Sequence, residues 1–245
     1  MLVLLAFSLI ILGYIIGAVP VGLLIVKRIT GKDVRMVGSG RSGATNVIRA
    51  AGMWAGVTTA ILDLIKGALP ILVAKLILPS LPWAHVLVGV SAVLGHNHSI
   101  FLRESVTDHK TGRKKTVLRG GAGGVTTVGG AIGLWVWTGA IVIPAGSAIL
   151  FGIGYASVAT MSGAIMTTII MAVRSNQGLA PSAYIYYGVM CLLLQLWALR
   201  PNIRRLINGT ERLIGWRAKR MTGNMTADPT SLSQDLNQIK NVKKT

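Results

Sequence analysis

LVLLAFSLIILGYIIGAVPVGLLIV, Leu2 through Val26, carries no charged side chain, and its reading decides the fold class of this chain. At 1.5 Å per residue, a helix of this length crosses a hydrocarbon core of about 30 Å. No basic segment precedes the run, and Lys27 and Arg28 follow it. It therefore reads as a retained span, not a cleaved signal, with the N-terminus outside and the first loop inside. The rest of the composition agrees. Hydrophobic residues make up 52% of the chain and only seven of its 245 residues are acidic. With a mean hydropathy of +0.61, the chain cannot present an ordinary water-soluble surface.

Working outward, further apolar segments fall at about 53–76, 84–102, 123–139, 141–156, 158–173 and 182–199. The link at 27–52 holds Lys27, Arg28, Lys32, Arg35, Arg41 and Arg49 against Asp33 alone, so it faces the cytoplasm. The uncharged, proline-rich turn at 77–83 suits the outer side. The segment 103–119 is basic again and returns to the inside, as does the arginine-rich stretch after Leu199. An outside N-terminus and an inside C-terminus require an odd number of spans. Ile141–Val173 is long enough for two short crossings if the chain reverses near Gly154-Tyr155-Ala156-Ser157. The expectation is an all-α integral membrane protein of about seven transmembrane helices, N-terminus outside and C-terminus cytoplasmic. Residues 1–216 form the membrane domain and 217–245 a polar cytoplasmic tail, expected to be disordered. Ile203–Trp216 interleaves apolar residues with arginines and predicts an amphipathic helix on the inner leaflet.

The net charge of +18 would suit nucleic acid, but the basic residues lie between and after apolar runs, where topology already demands them. No zinc-finger spacing, aromatic RNA-binding motif or basic heptad accompanies them, so no nucleic-acid partner is expected. Cys191 is the single cysteine, which excludes an intrachain disulfide.

Three segments on the inner face carry chemistry. Gly38-Ser39-Gly40-Arg41-Ser42-Gly43-Ala44-Thr45-Asn46 packs glycines, hydroxyls and an amide among arginines. Glycines let backbone N–H groups converge on an anion, and arginine suits phosphate. On this segment alone, a phosphate cradle and a flexible cytoplasmic link stand equal. Alanine at position 44, where a Walker A loop needs lysine, argues against nucleotide hydrolysis. Arg119-Gly120-Gly121-Ala122-Gly123-Gly124 opens the fourth span, where orphan N–H groups favour anions; close packing through small residues is the rival reading. The third segment is Asn202–Glu211. Asp63 and Lys66 lie three apart on one helix face and read as a functional charge pair or a self-neutralising structural one. His96 and His98 lack further ligands at metal spacing, so no metal is expected and His96 reads as structural.

In this order the motifs resemble those of the bacterial acyl-phosphate-dependent glycerol-3-phosphate acyltransferases. Gly38-Ser39-Gly40 with Gly43 to Arg49 resembles the family's first signature, and Leu62 to Gly67 its second-span segment. Gly95-His96 with the glycine loop resembles the second signature, and Asn202 to Glu211 the third, over about residues 5–216. The resemblance implies a seven-span membrane enzyme with its site at the cytoplasmic face of the bacterial inner membrane. Its partners would be acyl phosphate, glycerol 3-phosphate and membrane lipids, and no cofactor is implied. A fatty acyl group would pass from acyl phosphate to the 1-hydroxyl, giving lysophosphatidic acid and phosphate in phospholipid biosynthesis.

Residue by residue, it implies Ser39 and Arg49 as catalytic, phosphate-contacting groups. Gly38, Gly40, Asn46, Arg119, Gly120, Gly121, Gly123 and Asn202 would bind substrate or phosphate. Three places depart from the pattern: Ala122 stands where the family usually has lysine, Leu199 where it usually has histidine, and Arg41-Ser42 where Asn-Pro is common. Arg119, Arg41 or a lysine of the lengthened 103–118 segment would compensate. The rival readings are a transporter or binder of a phosphorylated small molecule, and a member that binds lipid without catalysis. No signal in the sequence bears on oligomeric state.

Overall fold

The first apolar run breaks at its proline. The structure, a computed structural model, describes residues 1–107 and 112–214; the expected polar tail at 217–245 lies outside the described residues. Helix α1 (Leu2–Ala18) ends at Val19 and α2 (Val21–Thr30) begins after Pro20. Proline has no N–H to continue the ladder. The Val19 carbonyl left at the break accepts from Lys66 Nζ at 3.1 Å.

A short α3 (Ala44–Ala51) follows within the first basic link, then α4 (Met53–Ile77) and α5 (Pro82–Asn97). Strands β1 (Arg103–Thr107) and β2 (Lys114–Leu118) precede α6 (Gly124–Leu134), α7 (Trp137–Ile153), α8 (Ala156–Asn176) and α9 (Ala183–Ile207). The chain is thus mostly helical, and the all-α expectation is corrected at the second basic segment. There β1 and β2 pair antiparallel, with Arg103 opposite Leu118 and Thr107 opposite Lys114. Val106, Thr107, Thr116 and Val117 are β-branched, which favours the extended backbone. The break near Gly154 occurs as expected, with that glycine in the left-handed region between α7 and α8.

The expected amphipathic helix at 203–216 does not form as a separate element. Helix α9 runs through Pro201 to Ile207, and residues 208–214 are not helical. Pro201 leaves the Trp197 carbonyl without its helical donor, and Arg200 Nε supplies the missing bond at 2.9 Å. Downstream, Ile214 N donates to Gly154 O at 2.9 Å and Leu213 bridges to Tyr155. These contacts fold the stretch back over the α7–α8 turn.

Three helical stretches, Leu2–Thr30, Ala156–Asn176 and Ala183–Ile207, are long and apolar enough to cross a membrane. Along α4, Ile61, Leu62, Ile65, Leu69, Leu72 and Leu76 are exposed; such a stripe suits lipid rather than water. The opposite side of α4 packs so closely on α6 that a Cβ at Gly67 would lie 2.1 Å from the Thr126 carbonyl oxygen. Helix α6 is only 11 residues long. Its last carbonyls, Gly133 and Leu134, accept from Lys75 Nζ at 3.3 and 3.2 Å, a favourable place for a cation. On its other side Tyr187 Oη donates to Thr127 O, and Gln195 Nε2 to Thr127 Oγ1, both at 2.9 Å. Helix α6, which begins at the glycine loop, is therefore held by α4 and α9.

Candidate functional site

The first glycine segment is shaped by one amide. Asn46 is buried and sits in the first turn of α3. Its Oδ1 accepts from Ser39 N at 3.0 Å. Its Nδ2 donates to the carbonyls of Val34, Val37 and Arg41 at 3.1, 2.9 and 2.8 Å. The side chain is thus committed to folding the loop around itself. Gly38 has φ +53, and a Cβ there would lie 2.4 Å from Asn46 Oδ1, so glycine is required at that turn. Upstream, Arg35 makes a two-pronged bond to Asp33, which holds the Asp33 carboxyl below its usual range.

The three basic segments meet. Arg41 donates to Gly121 O at 3.2 Å and also to the Ala198 carbonyl. Ser42 N reaches Gly120 O at 3.4 Å, and Arg212 Nη1 reaches Gly38 O. The glycine loop lies on the end of α5, where Gly121 N donates to His96 O at 2.9 Å. A Cβ at Gly121 would lie 1.9 Å from His96 Nε2, so this glycine is required by packing. In the third segment, Glu211 accepts from Asn202 Nδ2 at 2.8 Å and from Arg205 Nε at 3.0 Å.

Between these segments lies a cleft of about 90 Å3 lined by Ser39, Thr45, Arg49, Ala122, Gly123, Ser157, Thr160, Asn202, Arg205 and Arg212, among others. The first turns of α3, α6 and α8 all contribute, and none has a side-chain cap. Uncapped helix starts present free N–H groups and the positive end of the dipole. The Arg49 guanidinium makes no hydrogen bond or ion pair among the described residues. Burial lowers its pKa, and the neighbouring Arg212 adds to this while Glu211 opposes it. Two guanidiniums repelling one another beside uncapped helix starts form a site for an anion.

Of the residues singled out in the sequence, Ser39, Arg49, Asn46, Gly123 and Asn202 line this cleft. Gly40, Arg119 and Gly120 line a neighbouring one, which Ser39 and Asn202 also reach. Gly38 and Gly121 shape the loops. Arg119 pairs with Glu104 of the hairpin at 2.8 Å, away from the first cleft. The Asp63 and Lys66 pair closes at 2.8 Å, buried on both sides, and His96 Nδ1 stands 3.7 Å from Asp63. Sequence reasoning missed Ser157, Thr160 and Arg212. Ser157 Oγ is buried without a hydrogen-bond partner at the start of α8; the only hint was the reversal at 154–157.

The family model described as glycerol-3-phosphate acyltransferase matches residues 7–209. The glycerol-3-phosphate acyltransferase of Myxococcus xanthus is 37% identical over 210 residues, covering 84% of this chain and 97% of the relative. That of Rubrobacter xylanophilus is 36% identical over 210 residues, covering 86% and 96%. Crystal structures of PlsY, an integral membrane glycerol 3-phosphate acyltransferase, are also similar. Its glycerol 3-phosphate form has a TM-score of 0.72 at 29% identity, covering 86% of this chain and 96% of that one. Its lysophosphatidic acid form has a TM-score of 0.71 at 27% identity, covering 86% and 95%.

Proposed function

The chain belongs to the glycerol-3-phosphate acyltransferase family, and we propose that it moves a fatty acyl group from acyl phosphate to the 1-hydroxyl of glycerol 3-phosphate within the Arg49 cleft. The observation that carries this reading is Arg49 itself, whose guanidinium has no hydrogen bond or ion pair among the described residues and lines the cleft with Ser39 and three uncapped helix starts. An acyl phosphate is already activated, so catalysis rests on positioning and on charge stabilisation. Arg49, the Ser39 hydroxyl and the backbone N–H groups at Gly123 and Gly124 hold phosphate. The 1-hydroxyl oxygen attacks the acyl carbonyl carbon, and the carbonyl oxygen takes up negative charge. The acyl C–O bond to phosphate then breaks, and the departing phosphate takes the hydroxyl proton. No protein base is needed, and the sequence holds no His-x4-Asp pair. Asn46 acts as a positioning residue, and Gly38, Gly40, Gly120 and Gly121 as the turns that let the loops meet.

The same proposal takes residues 1–216 as one seven-span domain of the bacterial inner membrane, with the N-terminus outside and the cleft facing the cytoplasm. The clustering of basic residues around the cleft supports this orientation. Single cysteines placed at Ser80 and Ser105 in a Cys191→Ser background test it. Ser80 is expected to react with an impermeant thiol reagent from outside and Ser105 from inside; the reverse pattern rejects the orientation.

The donor is tested with purified protein in liposomes, palmitoyl phosphate and labelled glycerol 3-phosphate. Lysophosphatidic acid is the expected product, and no turnover from folded protein rejects the reading. Ala122 lines the cleft where the family usually has lysine. A cation there would add a charge-assisted contact to phosphate, so Ala122→Lys is expected to raise kcat/KM about tenfold. An unchanged rate would show that the existing arginines already saturate the site.

A further inference from the structure

Arg41 stands between the Arg49 cleft and the neighbouring one and lines both. We propose that its guanidinium is a second phosphate-holding cation of the site. It supplies from the first basic loop the charge that the glycine loop, with alanine at position 122, does not carry.

The partners of Arg41 set it apart. Arg35 pairs with Asp33, Arg119 with Glu104 and Arg205 with Glu211. Arg41 donates instead to two backbone carbonyls, Nη1 to Gly121 O at 3.2 Å and Nη2 to Ala198 O. These bonds fix the plane of the guanidinium and leave it further N–H groups to donate, but a carbonyl does not neutralise its charge. Burial lowers its pKa; Arg205 adds to this, Glu211 opposes it and Arg119 adds again. Glu211 is already engaged by Asn202 and Arg205. A partly buried cation without a carboxylate of its own, repelled by two others, favours an arriving anion.

The two carbonyls are those of the residues just before two of the departures from the family pattern. Gly121 precedes Ala122 and Ala198 precedes Leu199, and both Ala122 and Leu199 line the Arg49 cleft. Each brings only carbon to it, a methyl from the glycine loop and a buried isobutyl group from α9. Arg41 reaches the backbone at both places. One guanidinium thus ties the glycine loop to α9 and brings charge beside two side chains that have none. The third departure, at Arg41 itself, thereby answers the other two. The guanidinium is not the only tie, because Ser42 N also reaches Gly120 O at 3.4 Å. Naming the anion a substrate phosphate rests on the function proposed above, whereas the placement of the cation rests on its bonds to Gly121 and Ala198.

A double-mutant cycle on the full chain in nanodiscs tests this, read first as affinity for inorganic phosphate and then as kcat/KM for acylation. Arg41→Gln is expected to weaken phosphate binding about tenfold. Ala122→Lys should then gain about tenfold more in the Arg41→Gln background than in the wild type, because the lysine replaces a missing charge instead of adding a further one. A strap that only held the loops together would lower the melting temperature, and a lysine at position 122 would not repair it. Equal gains from Ala122→Lys in both backgrounds, or phosphate affinity unaltered by Arg41→Gln, overturn the proposal. Should Arg41→Gln fail to fold, Arg41→Lys stands in, since it keeps a charge but cannot bridge both carbonyls. The larger gain from Ala122→Lys is again expected in that background, and equal gains again overturn it. Phosphate affinity is read without turnover, so an absent acylation activity rejects the proposed reaction and leaves this test intact.

Discussion

Arg49→Ala is expected to lower kcat/KM for glycerol 3-phosphate acylation by about 100- to 1000-fold, with little change in thermal stability. The size follows from removing a cation from the cleft that holds the phosphate, where one donor aimed at the developing charge is worth roughly 3–4 kcal/mol in the transition state. The near-neutral stability follows from the absence of any ion pair or hydrogen bond to its guanidinium among the described residues. Its removal would even relieve repulsion from Arg212, which depresses the Arg49 pKa alongside burial. Initial rates over a range of both substrates, with melting of the detergent-solubilised protein as control, measure both effects. Arg49→Lys keeps the charge but loses the two-pronged geometry, so it should fall between the wild type and the alanine variant. A rate within a few-fold of wild type for Arg49→Ala would remove this residue from the chemistry.

Asn46→Ala is expected to lose comparable activity for a different reason. The amide ties Ser39 N to three carbonyls of the same loop. Deleting it leaves buried backbone groups unpaired, each at a cost of about 1–3 kcal/mol. The melting temperature should therefore fall together with the rate, and Ser39 should lose its place in the cleft. Asn46→Asp is a sharper probe. A carboxylate can still accept from Ser39 N but cannot donate to the three carbonyls, so it should be no better than alanine. If Asn46→Ala raised the KM for glycerol 3-phosphate without lowering the melting temperature, the amide would be a direct substrate contact instead.

Much of this architecture is legible in the sequence because membrane topology and glycine motifs leave local marks. The uncharged run from Leu2 identifies a membrane segment, and Pro20 within it carries the signal for the break that the structure contains. The hairpin at 103–118 is marked by its β-branched residues, but the dominant impression of that segment is charge. Arg200 escapes a linear reading for another reason. A proline at position 201 suggests the end of a helix, yet the bond from Arg200 to the Trp197 carbonyl lets α9 continue.

The cleft divides in the same way. Ser39, Arg49 and Gly123 lie in or beside glycine-rich runs, whose composition announces a turn near an anion. Ser157, Thr160 and Arg212 carry no such mark. Ser157 and Thr160 matter because the start of α8 meets the starts of α3 and α6, and that convergence exists only in three dimensions. Arg119 shows the converse. Its neighbours suggest the same cradle, but it pairs with Glu104 and lines the neighbouring cleft.

The most direct measurement is the stoichiometry of products from acyl phosphate and glycerol 3-phosphate in proteoliposomes, with wild type and Arg49→Ala run in parallel. One inorganic phosphate is expected for each lysophosphatidic acid formed by the wild type, with both products lost together in the variant. Phosphate release without acylation, or lysophosphatidic acid formed at an undiminished rate by Arg49→Ala, would contradict it.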